Sequence, residues 1–496
     1  MSLTLLLDMA VSGHPDRIAL GTRADGLTFE LLGRHAAGGA TVLRRRGARH
    51  MVFVGRNGPC FPQLLFAAAI AGIPFVPLNY RLSREHLVEM IADLDRFLVV
   101  ADDEYLPLFA GAVGDVIATS AFLAEAAAAD PADPVDNDDS SAAVLLFTSG
   151  TTARPKAVVL KHENLLAYIL STVELGGAGE DEATLAAVPP YHIAAVGSAL
   201  SNLYAGRRVV YLPDFDPEAW LRLVRDESVT TAMVVPTMLA RVLEVLGDNK
   251  ADAPSLRLLS YGGARMPLPV LERALRAFES VGFCNAYGLT ETSSTIALLG
   301  PDEHREALAS DDVAVRQRLG SVGMPVPGME VQVRAHDGSV VAPGISGQLW
   351  VRGAQVSGEY RGQGSVLDSN GWMDTRDRGR LDAEGYVYVE GRGDDTIIRG
   401  GENIAPAEIE DVLLRHPAVK DVAVLGRPDE EWGEKIVAFV VPESSADVDA
   451  EALRAFVRER LRGSRTPDEI VWRTDLPHTA TGKLLRRELR AQLALN

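Results

Sequence analysis

Short apolar runs alternate with helical patterns along most of this chain, and this alternation restricts its fold more than any other feature. Between Asp8 and Leu123 the apolar runs include Met51–Val54, Phe75–Pro77 and Phe97–Ala101. Strands that alternate with helices form βα units around a mostly parallel sheet. A second series has runs at Thr184–Val188, Arg208–Leu212, Thr231–Val235 and Leu256–Tyr261. The sequence therefore predicts an α/β protein with two doubly wound subdomains.

The pattern changes in the last third of the chain. From about Gly320 to Val389, short alternating runs with frequent glycines predict a small β-barrel-like subdomain. Further on, a helix at Pro406–Arg415 and strands at Val419–Gly426 and Lys435–Val441 predict a separate α+β module. We therefore expect a large N-terminal domain of residues 1–391 and a small mobile C-terminal domain of residues 392–496, with a hinge near Gly391–Asp395.

Size and composition exclude several classes of protein. A chain of 496 residues exceeds one hydrophobic core, and its net charge of −19 argues against nucleic acid or an anionic membrane as the main partner. The two cysteines, Cys60 and Cys284, indicate neither a disulfide framework nor a cysteine metal site. No apolar stretch reaches the ~18–20 residues of a transmembrane helix, and the first residues do not resemble a signal peptide. We expect a reduced, cytoplasmic enzyme.

One polar loop, FTSGTTARPK at Phe147–Lys156, has the composition of a phosphate-binding loop and directly follows an apolar run. Its hydroxyls can donate to phosphate oxygens, its glycine lets backbone N–H groups turn toward an anion, and Arg154 and Lys156 add positive charge. The spacing differs from that of a Walker loop. A polar turn that caps a helix is the simpler alternative.

Three further segments carry candidate binding groups. NAYGLTET at Asn285–Thr292 offers an aromatic face, a hydroxyl and a carboxylate suited to Mg²⁺, although a turn with a solvated glutamate would have the same composition. Asp377, at the end of a β-run, could accept both ribose hydroxyls or lie on a charged hairpin. Lys483, next to a glycine in HTATGKLLRR, could reach a site on the other domain or be a solvated lysine.

The order of these segments identifies a family resemblance that extends from about Thr28 to Leu489. The chain resembles the adenylate-forming superfamily of acyl-CoA synthetases, adenylation domains and luciferases, and is most similar to fatty-acid or aryl-acid CoA ligases. The motifs that carry the resemblance are FTSGTTARPK, PPYH, YGGA, YGLTE, GQLWVRG, TRD, GRGDD, GGENIAPAEIE and TATGK.

The resemblance implies a two-step reaction. A carboxylate attacks the α-phosphate of Mg²⁺·ATP to give an acyl adenylate and pyrophosphate, and the thiol of CoA then displaces AMP. By position in the motifs, Thr148, Ser149, Gly150, Thr151, Thr152 and Lys156 would hold the outer phosphates. Gly262, Gly263, Ala264, Tyr287 and Gly288 would border adenine and the acyl group, and Asp377 and Arg392 would hold the ribose. Thr290, Glu291 (the Mg²⁺ ligand), His192 and Lys483 would serve catalysis, with Asp394 as the hinge residue.

Four positions depart from the family pattern. Ala153 and Ala157 replace glycines of the phosphate loop, so we expect two turns with less backbone freedom and a stiffer loop. Gln348 occupies the position of a usual glutamate, and Arg376 that of a usual glycine beside Asp377. None of these changes removes a catalytic group, so the resemblance still implies an active enzyme.

The acid and the acceptor are less restricted by the sequence. HIAAVGS after Pro189-Pro190-Tyr191 lacks the aspartate that amino-acid-activating domains use, and Ile296, Leu298 and Leu299 are expected to form an apolar wall. An apolar fatty, alicyclic or aromatic acid is therefore expected, with CoA as the acceptor. An enzyme that loads a carrier protein, or an inactive nucleotide-binding homologue, remains an alternative, and a homodimer is left open.

Overall fold

The structure is a computed structural model that describes residues 2–493 with several gaps. The gaps are residues 112–113, 137, 139, 149–155, 400–401, 430–431, 444–448, 462 and 480–482, and only the backbone is described for residues 394, 402 and 403. The first part of the chain contains helices Thr4–Gly13 (α1), Phe29–Arg45 (α2), Cys60–Ala71 (α3), Arg84–Ile91 (α4) and Thr119–Ala128 (α5), and strands Ile18–Leu20 (β1), Leu27–Thr28 (β2), His50–Val54 (β3), Phe75–Pro77 (β4), Phe97–Ala101 (β5) and Asp115–Ala118 (β6).

The middle of the chain continues this alternation of strands and helices. Its strands are Ala142–Thr148 (β7), Lys156–Lys161 (β8), Ala183–Ala186 (β9), Arg208–Tyr211 (β10), Thr231–Val234 (β11), Leu258–Gly262 (β12), Gly282–Leu289 (β13) and Ser294–Leu299 (β14). Its helices are His162–Thr172 (α6), Ile193–Tyr204 (α7), Pro217–Asp226 (α8), Pro236–Leu246 (α9), Leu268–Ala277 (α10), Pro301–Ala309 (α11) and Val313–Gln317 (α12).

The last part is rich in strands. They are Met324–Pro325 (β15), Glu330–Arg334 (β16), Gly347–Arg352 (β17), Glu359–Tyr360 (β18), Gly364–Ser365 (β19), Met373–Leu381 (β20), Val387–Arg392 (β21), Ile397–Arg399 (β22), Glu402–Ile404 (β23), Val419–Asp429 (β24), Gly433–Pro442 (β25) and Glu469–Trp472 (β26). Three helices belong to the same part, Pro406–Leu413 (α13), Ala450–Arg460 (α14) and Arg486–Leu493 (α15). Short 3₁₀ helices include Thr290–Thr292 and Gly393–Asp395.

Two large sheets form the core of the N-terminal domain. The first has eight strands in the order β19-β18-β8-β7-β4-β3-β5-β6, and β3 to β6 pair in parallel as the apolar runs predict. The second has nine strands in the order β15-β14-β13-β12-β11-β9-β10-β1-β2, with β9 to β13 all parallel. Parallel strands are buried on both faces, which accounts for their unbroken apolar sequences.

Helices cover these sheets with their apolar sides. Helix α8 shows how the sequence specifies them, because Asp216 accepts from the backbone N–H of Ala219 and Pro217 begins the first turn. Its Trp220 is fully buried in the core of the nine-stranded sheet. The predicted α/β class with two doubly wound subdomains is confirmed.

Two smaller sheets complete the molecule. Antiparallel strands in the order β16-β17-β20-β21 form the third subdomain of the N-terminal domain, where the sequence predicts a β-barrel-like unit. The small C-terminal domain has a five-stranded sheet that contains β22 to β26, packed against α13 and α14 through the buried side chains of Ile409, Leu413, Leu453 and Val457. Among the described residues no helix has the length and apolar character needed to cross a membrane.

Candidate active site

The candidate site lies at one edge of the nine-stranded sheet. Because β9 to β13 run in parallel, their carboxyl ends meet at the same edge, where open α/β sheets commonly bind ligands. The chain after β9 leads to His192, β12 ends at Gly262, and β13 ends at Leu289, immediately before Thr290. The sheet topology therefore brings together motifs that are about a hundred residues apart in sequence.

Two glycines at this edge have structural reasons to be glycine. Gly263, which follows β12, has a left-handed φ of +79°, a conformation that other residues rarely adopt. A Cβ on Gly288 would collide with the backbone carbonyl of Ser294 in the neighbouring strand β14. Gly262 and Ala264 flank Gly263, so the YGGA segment places backbone rather than bulky side chains along the crevice.

Asp377, Tyr287 and Arg392 form one hydrogen-bonded group. Asp377 and Arg392 are directly opposite each other on β20 and β21, and Arg392 Nε lies 3.1 Å from Asp377 Oδ1. The Tyr287 hydroxyl donates to Asp377 Oδ2 over 2.6 Å. Burial raises the pKa of Asp377 while the charge of Arg392 and the hydrogen bond from Tyr287 oppose that rise. The predicted ribose and adenine residues are thus in direct contact.

Glu291 is oriented by a residue that the sequence does not point to. The hydroxyl of Tyr360, on β18, donates to Glu291 Oε1 over 2.6 Å, and the Lys156 Nζ lies 5.6 Å from the centre of the Tyr360 ring. Tyr360 therefore links the phosphate loop to the proposed Mg²⁺ ligand. A single carboxylate that leaves most coordination positions to phosphate oxygens and water is typical of Mg²⁺ sites, so this arrangement fits the ion.

The phosphate loop connects two antiparallel strands. Thr148, the last residue of β7, pairs with Lys156, the first residue of β8, and the predicted phosphate ligands Ser149, Gly150, Thr151 and Thr152 lie outside the described residues, as does Ala153. Ala157 lies within β8 opposite Phe147, in regular extended structure. Our expectation that Ala157 deprives a turn of backbone freedom is therefore wrong, because this residue belongs to a strand.

Lys483 of the C-terminal domain faces the residues of the N-terminal domain. Its backbone N–H donates to Thr479 Oγ1 over 3.0 Å in the turn before α15. Burial and the charge of Arg392 lower the pKa of Lys483, whereas Asp377, Asp395 and Glu291 act to raise it. The residue keeps some contact with solvent. The predicted catalytic lysine thus lies near the residues that are predicted to bind ribose and Mg²⁺.

The hinge segment is connected to the same turn. Asp395, in the 3₁₀ helix at the predicted hinge, lies 2.9 Å from Arg490 Nη2 and 3.8 Å from Arg486 Nε, both on α15. The side chain of Asp394, the predicted hinge residue, lies outside the described residues. These ion pairs hold the start of α15, and with it the Lys483 turn, next to the hinge.

His192 immediately precedes helix α7, at the N-cap position. Its ring lies 4.6 Å from that of Tyr191. Burial lowers the pKa of His192 to about 4, with a smaller contribution from the charge of Arg81. The imidazole is therefore neutral at neutral pH, as suits a residue that borders an apolar group.

Ile296, Leu298 and Leu299 do not form the apolar wall that the sequence predicts. Ile296 is fully buried against Val326 and Met329, Leu299 packs with Tyr386 and Tyr388, and Leu298 is 39% exposed. Successive residues of a strand point to opposite faces, so Leu299 cannot share a wall with Leu298, and Ile296 is already enclosed in a core. The wall prediction is wrong because Ile296 and Leu299 pack in structural cores between β14 and the third subdomain.

The sequence also missed contacts between distant residues. Arg265, after the YGGA segment, forms an ion pair with Asp411 on α13 of the C-terminal domain. Arg207 instead binds Glu182, with Nη2 2.8 Å from Oε2, and the two residues immediately precede β10 and β9. The only sequence feature that indicated a role for Arg265 was its position beside the YGGA motif. Tyr360 lies in no motif, so no sequence feature indicated its contact with Glu291.

Comparison with known proteins agrees with this geometry. Residues 7–361 match the AMP-binding enzyme family, and residues 408–483 match the AMP-binding enzyme C-terminal domain. A feruloyl-CoA synthase of an Amycolatopsis species is 35% identical, with 97% of this chain and 96% of that protein covered. The 2-succinylbenzoate–CoA ligase of Bacillus mycoides is 33% identical, with 96% of each chain covered.

A solved structure extends the similarity to the whole fold. The o-succinylbenzoate CoA synthetase of Bacillus subtilis, in complex with its acyl-adenylate intermediate, is 30% identical and has a TM-score of 0.85, covering 98% of this chain and 97% of that one. Fold and site together define an adenylate-forming enzyme. The chain belongs to the AMP-binding enzyme family, and it is an ATP-dependent, AMP-forming acid–CoA ligase that works through an acyl adenylate.

Proposed function

We propose that this ligase activates an aromatic carboxylic acid, and that the site residues have the roles given below. Two curated relatives have names that refer to feruloyl-CoA and 2-succinylbenzoate, both aromatic. The arginines nearest in sequence to the acyl motifs, Arg207 and Arg265, are paired with Glu182 and Asp411. Neither arginine is free to pair with a second carboxylate, so these two residues support an aromatic monocarboxylic acid, as in feruloyl-CoA, rather than a dicarboxylic acid such as 2-succinylbenzoate.

The nucleotide would lie along the edge of the nine-stranded sheet. Tyr287 and the segment Gly262–Ala264 would contact adenine, with Gly288 allowing close backbone approach, and Asp377 and Arg392 would bind the ribose hydroxyls. Thr290 would contact the α-phosphate. Thr148, Lys156 and the loop between them would bind the outer phosphates. The hydrogen bond between Tyr287 and Asp377 supports this arrangement because it joins the adenine and ribose groups.

Glu291 would bind Mg²⁺ together with phosphate oxygens. Tyr360 holds one carboxylate oxygen, Oε1, and so fixes the direction of the carboxylate. A bound Mg²⁺ would neutralise part of the triphosphate charge. Outer hydrogen bonds of this kind commonly set the affinity of a metal site.

The position of Lys483 is the observation that carries the proposal. In the first half-reaction two anions meet, because a carboxylate oxygen attacks the α-phosphorus and the bond to the bridging oxygen of pyrophosphate breaks. A cation directed at the charge that develops in the transition state lowers this barrier. Lys483 lies close enough to Asp377, Arg392 and Glu291 for their charges to alter its pKa. Binding of the anionic substrates would favour its charged form.

The second half-reaction would follow a rotation of the C-terminal domain about Asp394, with the domain boundary between residues 391 and 392. The rotation would withdraw Lys483 and open a path for CoA, whose thiolate attacks the acyl carbon while AMP leaves. Neutral His192 would border the acyl group at this step. The short 3₁₀ helix at Gly393–Asp395, between strands of the two domains, supports a hinge there.

A panel of acids combined with one variant tests the proposal. The wild-type enzyme should release pyrophosphate and form CoA thioesters with aryl acids, and should prefer them to straight-chain fatty acids. Lys483→Ala should slow pyrophosphate release about 10²–10³-fold but convert a supplied aryl adenylate to the thioester at nearly the wild-type rate. A matched control is Lys250→Ala, a surface lysine paired with Glu279. Equal loss in both half-reactions would contradict the assigned role of Lys483.

A further inference from the structure

A small cavity lies at the carboxyl edge of the nine-stranded sheet, behind the first turns of α7. It has a volume of about 10 Å³. The sheet contributes Ala186 and Tyr211, which are paired in register at the ends of β9 and β10, together with Met233 of β11. Helix α7 contributes Ala195 and Ser198. The cavity thus belongs to the same edge of the sheet as the active-site motifs.

The hydroxyl of Tyr211 is the unusual group in this cavity. It is buried, and no described residue offers it a hydrogen-bond partner. The other polar groups are already engaged, since Asn57 Nδ2 donates to the carbonyl of Ala186 over 2.8 Å and Ser198 Oγ accepts from Asn202 over 3.2 Å. Buried hydroxyls without a partner lower stability and are uncommon in native proteins. Among the described residues, the Tyr211 hydroxyl is therefore an unsatisfied hydrogen-bonding group at the sheet edge where a ligand is expected.

The cavity is close to the expected position of the acyl group. Ala195, which lines it, donates its backbone N–H to the carbonyl of His192 over 3.0 Å, so the cavity begins within one helical turn of His192. Its volume has room for about one water-sized group. An aromatic ring would not fit, but a single substituent of a ring that lies beside His192 would.

Burial raises the pKa of the Tyr211 phenol well above its ordinary value. The group therefore stays protonated and can donate a hydrogen bond at any pH at which the enzyme works. The remaining lining near it, from Ala186, Ala195 and Met233, is apolar. A hydroxyl is the smallest ring substituent that both fills this space and pairs with a phenol.

We propose that this cavity is a subsite for a hydroxyl substituent on the ring of the aryl acid, and that Tyr211 is the specificity-determining residue that hydrogen-bonds it. This inference rests on the proposed function, because it requires an aromatic acid beside His192. The substrate class is thereby narrowed to phenolic acids.

The test compares cinnamic acid with 3-hydroxycinnamic and 4-hydroxycinnamic acid in wild-type enzyme and in Tyr211→Phe, by kcat/KM for CoA thioester formation. The variant keeps the ring and removes one oxygen. Wild-type enzyme should prefer one hydroxylated acid, and Tyr211→Phe should lower kcat/KM for that acid roughly 3- to 10-fold while that for cinnamic acid stays the same or rises. Tyr204→Phe is the matched control, a buried tyrosine of α7 outside the cavity lining, and should leave the ratio unchanged.

Each contrary outcome has a separate meaning. If Tyr211→Phe changes kcat/KM for all three acids by the same factor, or for none, the cavity holds only a structural water and the subsite is refuted, although the proposed function stands. If wild-type enzyme forms thioesters with straight-chain acids but with none of the aryl acids, the proposed function fails and the subsite fails with it. Thermal denaturation of both variants shows whether each is folded.

Discussion

Arg376 has a backbone conformation that few residues with a side chain adopt. Its φ is +61°, in the left-handed region, at the position where the family resemblance leads us to expect glycine. Its backbone N–H donates to Asp374 Oδ1 over 2.7 Å, and its side chain is exposed. The departure noted in the sequence is therefore a source of local strain beside Asp377, the proposed ribose ligand, and the chain keeps the turn that the glycine would form.

We expect Arg376→Gly to raise the free energy of unfolding by roughly 0.5–1 kcal/mol, because relief of left-handed strain exceeds the entropy that glycine adds to the unfolded chain. Urea denaturation would measure the change. The matched control is Arg378→Gly, two residues away on the same strand and outside the left-handed region. It should lower the free energy of unfolding. A loss of stability in both variants would show that φ at Arg376 is not strained.

His192 should make the stability of the protein depend on pH. Its pKa is about 4 in the folded protein, against an ordinary value of 6.5. As the pH falls from 6.5 toward 4, the unfolded chain takes up a proton that the folded protein does not, so stability falls. His192→Gln should make this fall shallower by at most about 1.4 kcal/mol per pH unit, with no change in slope above pH 6.5.

Urea denaturation at several pH values between 4.5 and 8 would measure the slope. His162 is the matched control, because burial also lowers its pKa to about 4 and it lies away from the site, where its Nδ1 accepts from the backbone N–H of Leu3. His162→Gln should flatten the same pH range but leave kcat/KM near the wild-type value, whereas His192→Gln should lower kcat/KM. An unchanged slope in His192→Gln would mean that the imidazole is not buried as neutral.

The strands of the parallel sheets were predictable from the sequence, whereas the short edge strands were not. Phe75–Pro77 and Phe97–Ala101 form strands with the predicted bounds, because short unbroken apolar runs are typical of strands that are buried on both faces. Burial was also predictable for Ile296 and Leu299, but alternation does not indicate which neighbouring sheet covers them. The two-residue strand β18 has no pattern, and its Tyr360 contacts Glu291 across 69 residues of sequence.

The hydroxyl of Tyr360 should set the affinity of the proposed Mg²⁺ site, because it holds Glu291. Tyr360→Phe keeps the ring near Lys156 but removes the hydroxyl that holds Glu291, so we expect the Mg²⁺ concentration for half-maximal pyrophosphate release to rise about 10-fold or more. At saturating Mg²⁺ the rate should approach that of the wild type. Tyr388→Phe is the control, because it removes a tyrosine hydroxyl that donates to Asp382 over 3.3 Å and does not contact Glu291, and it should have no such effect. A rate loss that Mg²⁺ does not restore would contradict the assigned role of Tyr360.

Charged contacts hold the two domains together, and no local sequence pattern reveals them. The sequence motif predicts that Lys483 reaches toward the other domain, and in the structure Asp377, Arg392 and Glu291 lie close enough to act on its pKa. Arg265 and Asp411 are 146 residues apart and belong to different domains, so their pairing depends on how the domains are oriented. Asp411 is the less exposed partner, with 14% of its side chain accessible against 40% for Arg265. Burial raises the pKa of Asp411, and Arg265 opposes the rise.

This pair exists in the orientation that brings Lys483 to the site, so it should favour adenylation over thioester formation. We expect Arg265→Ala and Asp411→Asn each to slow pyrophosphate release, by about fivefold for an interaction of roughly 1 kcal/mol, and to leave thioester formation from a supplied acyl adenylate unchanged or faster.

Two variants on opposite domains separate this effect from damage to the neighbouring Gly263–Ala264 segment, because Asp411 is remote from it in sequence. The control is Lys420→Ala, since Lys420 and Glu244 form an exposed contact of 3.8 Å between the same domains and should contribute little. Single-turnover assays of each half-reaction measure the separation, and equal slowing of both would mean that the pair supports folding of the interface rather than a choice between two orientations.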